Sequence, residues 1–295
     1  MATEPQSRSR IRAIQARTWI TSRIPTIFAG IIVLVLWQVT AMVIDNNRIF
    51  AYPDYTWRQI MERSDTVFIR IVETFSSVII AFLLAVIFGV LLGLLIAEIY
   101  TLRQMAMPIV VFAYAIPHPI LAPVFIIWFI VMGDEIVLLS FTGPSAYLLD
   151  SVTAEEAAQT FAINGVTTFG AWVGFFPVFL STITGMNALE ERFEHFGSVL
   201  GATRWQMVRY FRFWRALPNI ASSVKATVQL SIIGVIVAEF IASSEGIGYQ
   251  IVLAWKSADL GYMFGVLLII MMGAYLFYQT VVWLLKTFTP PGTVQ

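Results

Sequence analysis

The chain has 295 residues, 58% of them hydrophobic and only 12% charged, with a formal net charge of zero and no cysteine. Soluble domains carry about 25% charged residues, and a mean hydropathy of +0.79 leaves too little polar surface to cover a water-soluble body of this size. The composition predicts an integral membrane protein, excludes a cysteine-stapled secreted scaffold and argues against nucleic acid as a partner, which would call for a basic domain or patch.

Residues 1–23 form a basic tail with Arg8, Arg10, Arg12, Arg17 and Arg23. A first transmembrane helix over about Ile24–Ile44, opened by Pro25, and an outer loop complete the segment 24–69. The apolar run of this first span is longer than the 7–15 residues of a signal peptide. No small-residue cleavage site follows it, only Asp45-Asn46-Asn47-Arg48, so it is read as a retained helix. The core, 70–286, holds the other spans: about Phe75–Ala97, Met105–Met132, Phe169–Met186, Ser222–Ala242 and Tyr262–Lys286. The third carries Pro108, Pro117, Pro119 and Pro123 and is either one kinked span or two half-helices. Between it and the fourth lies an insertion, 133–168, in which Thr153 to Glu156 reads as a capping box opening a short outer helix. A tail, 287–295, ends the chain. The expected fold is all-α: a polytopic membrane helix bundle of about six transmembrane helices with a helical cytoplasmic loop.

With the N-terminus inside, thirteen arginines and lysines fall on the cytoplasmic side and five outside. That split follows the positive-inside bias and places both termini in the cytoplasm. Two small-residue rows predict close helix packing in lipid. The second span carries Ser77, Ala81, Ala85, Gly89, Gly93 and Ala97, a row expected to wind around to more than one neighbour; the fifth carries Thr227, Ser231, Gly234 and Ala238.

Ionisable groups inside the spans are few, and each is a functional candidate by default. Glu239 sits near the outer end of the fifth span, close enough to reach water. His118 lies in the proline cluster, where it either meets substrate or bonds a carbonyl that a proline has freed. Tyr114, Pro117, His118, Pro119, Ser231 and Glu239 are the candidates for a substrate pathway or gate. Tyr114, Trp128, Trp172 and Phe176 suit a ring-bearing solute, and equally serve as bilayer anchors.

The loop 187–220 is far longer than a reversal of the chain needs. Its first part is helix-like through Phe196; Gly201 breaks it, and Thr203 is an N-cap for a second helix rich in aromatics and arginines that ends at Leu217-Pro218, before the fifth span begins. Two readings stand on these residues: an amphipathic helix in the headgroup layer, or a docking element for a cytoplasmic partner.

The run Leu200-Gly201-Ala202-Thr203-Arg204-Trp205-Gln206, followed by Ala216-Leu217-Pro218, resembles the EAA loop of ABC importer permeases of the binding-protein-dependent, nitrate/sulfonate/taurine type. Ile116-Pro117 to Pro123 is similar to that family's proline-rich third helix, and Glu239 with Gly246-Ile247-Gly248-Tyr249 to its glutamate and Gly-Leu-Gly-Tyr pair. The resemblance covers roughly residues 70 to 286. Departures stand at His195-Phe196-Gly197, where the family has Glu-Ala-Ala (Glu194 is adjacent and Gly197 keeps a small residue), at Trp214 in place of a proline, and in the 133–168 insertion.

The resemblance implies a permease working as two copies, a homodimer or a pair with a close paralogue. It implies two separate cytoplasmic ABC ATPase subunits and an extracytoplasmic substrate-binding protein. Coupling to the ATPase falls on Glu194, Gly197, Gly201, Ala202, Thr203, Arg204, Trp205, Gln206, Leu217 and Pro218. Gly201 to Thr203 form the tight turn, and Arg204 to Gln206 make the contacts. ATP and Mg belong to the partner, since this chain has no G-x-x-x-x-G-K-[ST] segment, and no cofactor or metal is expected on the chain itself, which is not read as an enzyme. The rival function is an ion-coupled secondary transporter, which would need embedded coupling charges and often repeated halves. A hydrolase built on Gly143-Pro144-Ser145 and His118 is the remoter alternative, and two histidines without cysteine offer a metal little.

Overall fold

The computed structural model describes residue 25 and residues 28–131, 164–188 and 191–288. The basic tail 1–23, almost all of the 133–168 insertion with its Thr153–Glu156 capping box and the Gly143-Pro144-Ser145 stretch, and residues 289–295 lie outside the described residues. Within them the chain is all-α. Helix α1 (Phe28–Ile44) is apolar but short; four helices or helical runs are long and apolar enough to cross a membrane, and a bent pair makes a fifth crossing. These five match the second to sixth expected spans, and α1 lies within the first.

Helix α2 (Pro53–Glu62), with proline in its first turn, leads through Arg63 into α3 (Ser64–Glu98). Hydropathy placed the second span at Phe75; the helix begins eleven residues earlier, because its first turns are polar on one side. Arg63, at the joint, pairs with Asp259 at 2.7 Å and lies 4.4 Å over the Tyr262 ring, tying this outer corner to the last helix. Helices α4 (Tyr100–Ala115) and α5 (His118–Val131) meet at 99°. The third span is therefore two half-helices. Ile116 takes an extended conformation (φ −66°, ψ 132°), as the residue before a proline tends to.

Helix α6 (Gly165–Asn187) opens with the Asn164 side chain accepting from Thr167 N–H at 2.8 Å and is the centre of the bundle. Cβ atoms placed on Gly89 and Gly93 would meet Val178 and Thr182, and those on Gly170 and Gly174 would meet Ala81 and Ala85. The pairs 81–170, 85–174, 89–178 and 93–182 advance by four on both helices, so α3 and α6 run parallel in a 4-4 register. The α3 row, expected to serve several neighbours, follows this one helix over those four steps. All six residues of the row are buried.

After α7 (Glu191–Val199) and α8 (Arg204–Met207), a π-helical segment, Val208–Arg212, runs without interruption into α9 (Phe213–Ala242). The sequence reading ended a helix at Leu217-Pro218; Pro218 instead sits inside α9. Local π adjustments and neighbouring helices can absorb a proline in such a helix. Helix α9 packs antiparallel on α6, next to α3: Thr227 Oγ1 donates to the Gly174 carbonyl at 3.0 Å, and a side chain on Gly234 would run into the Gly170 backbone. Helix α10 (Ile247–Lys256) closes the end of the bundle away from α7 and α8, and α11 (Leu260–Phe288) forms the last crossing.

Candidate functional site

Three places collect the residues singled out in the sequence. The first is an elbow at the arginine-rich end. Helix α7 stops because Gly201 takes φ +68°, a left-handed conformation that glycine adopts without steric cost; Ala202 N–H then bonds the Gly197 carbonyl at 2.9 Å. Thr203 caps α8 reciprocally. Its hydroxyl accepts from Gln206 N–H at 3.3 Å, and Gln206 Oε1 accepts from Thr203 N–H at 2.7 Å. The N-cap expected at Thr203 is thus present and strengthened into a capping box. Gly197 is buried because a side chain there would collide with Met207, so α7 folds back onto α8.

Around this braced turn the apolar side chains point outward. Phe196 is 54% exposed, Val199 85%, Leu200 65% and Trp205 69%. Ala202 is half-buried, Arg204 and Gln206 are exposed, and Glu194 lies in α7. Leu217 and Pro218 are in α9, on the same continuous rod but well beyond the turn.

The second place is the break in the third span. Tyr114 and His118 lie either side of it with ring centroids 5.7 Å apart. Both meet Phe176 of α6, at 5.3 and 6.1 Å. Trp172 stands 5.0 Å from Phe176 and 5.8 Å from Phe125. Phe176 is the twelfth of 23 residues in α6, which puts the cluster near mid-depth. His118 Nε2 and Trp172 Nε1 are buried with no hydrogen-bond partner among the described residues, so that histidine nitrogen does not take up a carbonyl freed by proline. Pro117 and Pro119 are exposed.

The third place is Glu239. Far from reaching water, it is 3% exposed, and its carboxylate is fully engaged. Thr74 Oγ1 donates to it at 2.7 Å and Gly248 N–H at 2.8 Å, while Ile247 N–H donates to Thr74 Oγ1 at 2.8 Å. Gly246 N–H reaches Glu73 at 3.1 Å, and Glu73 pairs with Arg70. An acid set against the first N–H groups of a helix satisfies donors that have no partner within it. Glu239 anchors α10 to α3 and α9. Ser231, also proposed for the pathway, is fully buried against Gly174 in the α6–α9 seam.

The sequence reading missed Thr74, Glu73 and Arg70. A threonine inside an apolar helix looks like any other small residue there, and only the fold shows what it faces.

A long polytopic bundle with a broken mid-membrane helix and a rigid helical elbow at its arginine-rich end has the build of a transporter's membrane component. The family model for the binding-protein-dependent transport system inner membrane component matches residues 85–290, and the chain belongs to that family, whose members are transport components of ABC systems. It is similar to the formylaminopyrimidine transport permease protein ThiX of Halalkalibacterium halodurans, 24% identical over 76% of this chain and 78% of the relative. It resembles a probable ABC transporter permease protein of Haemophilus influenzae at 23% identity, over 90% and 96% of the two chains. A putative aliphatic sulfonates transport permease protein, SsuC, of Bacillus subtilis is 25% identical over 58% of this chain and 51% of its own length.

Proposed function

We propose that this chain is the membrane permease subunit of an ATP-driven importer in the cell (inner) membrane, with both termini in the cytoplasm. It works as a pair of permease copies beside two cytoplasmic ATPase subunits and an extracytoplasmic substrate-binding protein. The observation that carries the reading is the elbow: a short, doubly capped turn whose apolar side chains face outward and whose second arm continues as one rod into α9. Aromatic, Met and Arg side chains are the kinds enriched at protein interfaces. Force applied at Trp205 reaches α6 through the seam that binds α9 to it. ATP and Mg are held by the partner, and this chain contributes Gly201 to Gln206 as the contact.

Glu239 is the only acid buried among the described residues. Its carboxylate is committed to the α10 anchor, which weighs against an ion-coupled transporter using it. The pathway runs past the break at Ile116-Pro117, where irregular backbone at membrane depth needs protein or a water-filled cavity beside it. Of the two cargo chemistries named in the relatives above, the Tyr114, His118 and Trp172 rings, backed by the buried Phe176, favour a flat heteroaromatic solute over an alkanesulfonate. Uptake of labelled aminopyrimidine by the whole importer tests this; uptake of an alkanesulfonate alone would reverse the choice.

The coupling itself is tested with Gly201→Asp. Aspartate is among the residues that tolerate a left-handed backbone, so the elbow persists and only its surface changes. The variant is expected to insert normally, to fail to stimulate the ATPase and to lose ATP-driven uptake. Wild-type uptake would contradict the reading. The purified chain alone is expected to hydrolyse no ATP and to co-purify with an ATPase subunit.

A further inference from the structure

Where α3 ends and α4 begins, the elbow leaves a cavity of about 600 Å³. Three guanidinium groups line it, those of Arg103, Arg204 and Arg212, against the single carboxylate of Glu98. Arg212 reaches Glu98 at 2.9 Å, and Arg103 donates to the side chain of Asn187, a neutral partner. The described residues that line the cavity therefore carry two net positive charges. The cavity lies at the level where the apolar helices α3 and α6 stop, with Tyr100 exposed in its wall, an aromatic of the kind found at a membrane–water boundary.

A second cavity, about 610 Å³, adjoins the first and shares Arg103 and Asn187 with it. Its walls are different in kind. Met107 of α4 and Ile183 with Thr184 of α6 line a groove that runs from the arginines toward the body of the bundle. A basic chamber opening into an apolar groove, hinged on one arginine, matches an amphiphile with an anionic head.

We propose that the two cavities form one site for an anionic phospholipid, its phosphate among Arg103, Arg204 and Arg212 and the start of an acyl chain along Met107 and Ile183. Guanidinium forks bind phosphate through paired, charge-assisted hydrogen bonds, and basic pockets between membrane helices hold anionic headgroups. The groove is what selects a lipid over a free phosphate. Because the head touches α4, α8 and the π-helical segment together, the lipid braces the elbow against the bundle. This goes beyond the importer reading and shares Arg204 with the contact proposed there, so the lipid stays bound when an ATPase subunit docks.

The test uses the full-length chain in mild detergent, titrated in native mass spectrometry with phosphatidylglycerol and phosphatidylcholine of identical chains. Retention of one phosphatidylglycerol about thirtyfold more tightly is expected, the preference that two net charges give at a surface. Inorganic phosphate at equal concentration should not displace it. Arg103→Ala and Met107→Trp should each abolish the preference, whereas Arg58→Ala, on exposed α2 at the other end, should keep it. If Arg103→Ala does not fold, by its melting temperature in phosphatidylcholine, Met107→Trp decides alone. Equal retention of both lipids, displacement by inorganic phosphate, loss of the lipid when an ATPase subunit docks, or a preference that survives Met107→Trp overturns the proposal.

Discussion

Thr74 uses one hydroxyl twice, giving its proton to Glu239 and accepting the N–H of Ile247. Thr74→Val keeps the shape and removes both bonds, leaving a buried carboxylate and a helix N–H short of a partner. Such an orphaned group costs about 1–3 kcal/mol, so the variant should melt below the wild type in thermal unfolding, and Thr74→Ser should recover most of the loss. An unchanged melting temperature for the valine variant would remove Glu239 from the anchor described here. Gly248 is a second check: a methyl group there would press on the Glu239 side chain, so Gly248→Ala should also lower the melting temperature. At this scale the sequence was informative where local chemistry suffices. Gly201 as a break and Thr203 as a cap depend on near neighbours and are legible. Glu239 near a helix end is equally local, but its partner lies 165 positions away, and no pattern along the chain announces it.

Elements were legible where hydropathy and side-chain size both speak. The rows on α3 and α9 announced that helices would touch closely there, and they do; which helix they touch is a property of the bundle. Gly174 faces Ser231 on α9 and Ala85 on α3 at once. Gly174→Leu should therefore push both seams apart and yield little folded protein, measured as the monodisperse fraction after detergent extraction, whereas the same change at Gly30, which has nothing near it, should be tolerated. Proline spacing showed that the third span could not be an ordinary helix, yet not how sharply it turns. The bend of 99° reflects the fit of α5 onto α6 and α9. The end proposed at Leu217-Pro218 failed for a related reason: proline weakens a helix without deciding whether neighbours hold it together. The long rod from Arg204 through α9 is the consequence.

For the whole molecule, the bundle core is one helix, α6, held between α3 and α9, with α2 and α10 gathered at one end, α11 running the length of the bundle and the elbow projecting at the other end. A chain built this way moves as a lever only if something grips the elbow. Since the chain has no cysteine, a single one can be introduced at Val199→Cys, beside the turn and 85% exposed, without competing thiols. The decisive measurement is its cross-linking yield to a co-expressed ATPase subunit, with and without ATP, in membranes. The account predicts a single cross-linked species whose yield changes with nucleotide. A thiol that reacts only with probes in the lipid phase, forming no product with the ATPase under either condition, would contradict it.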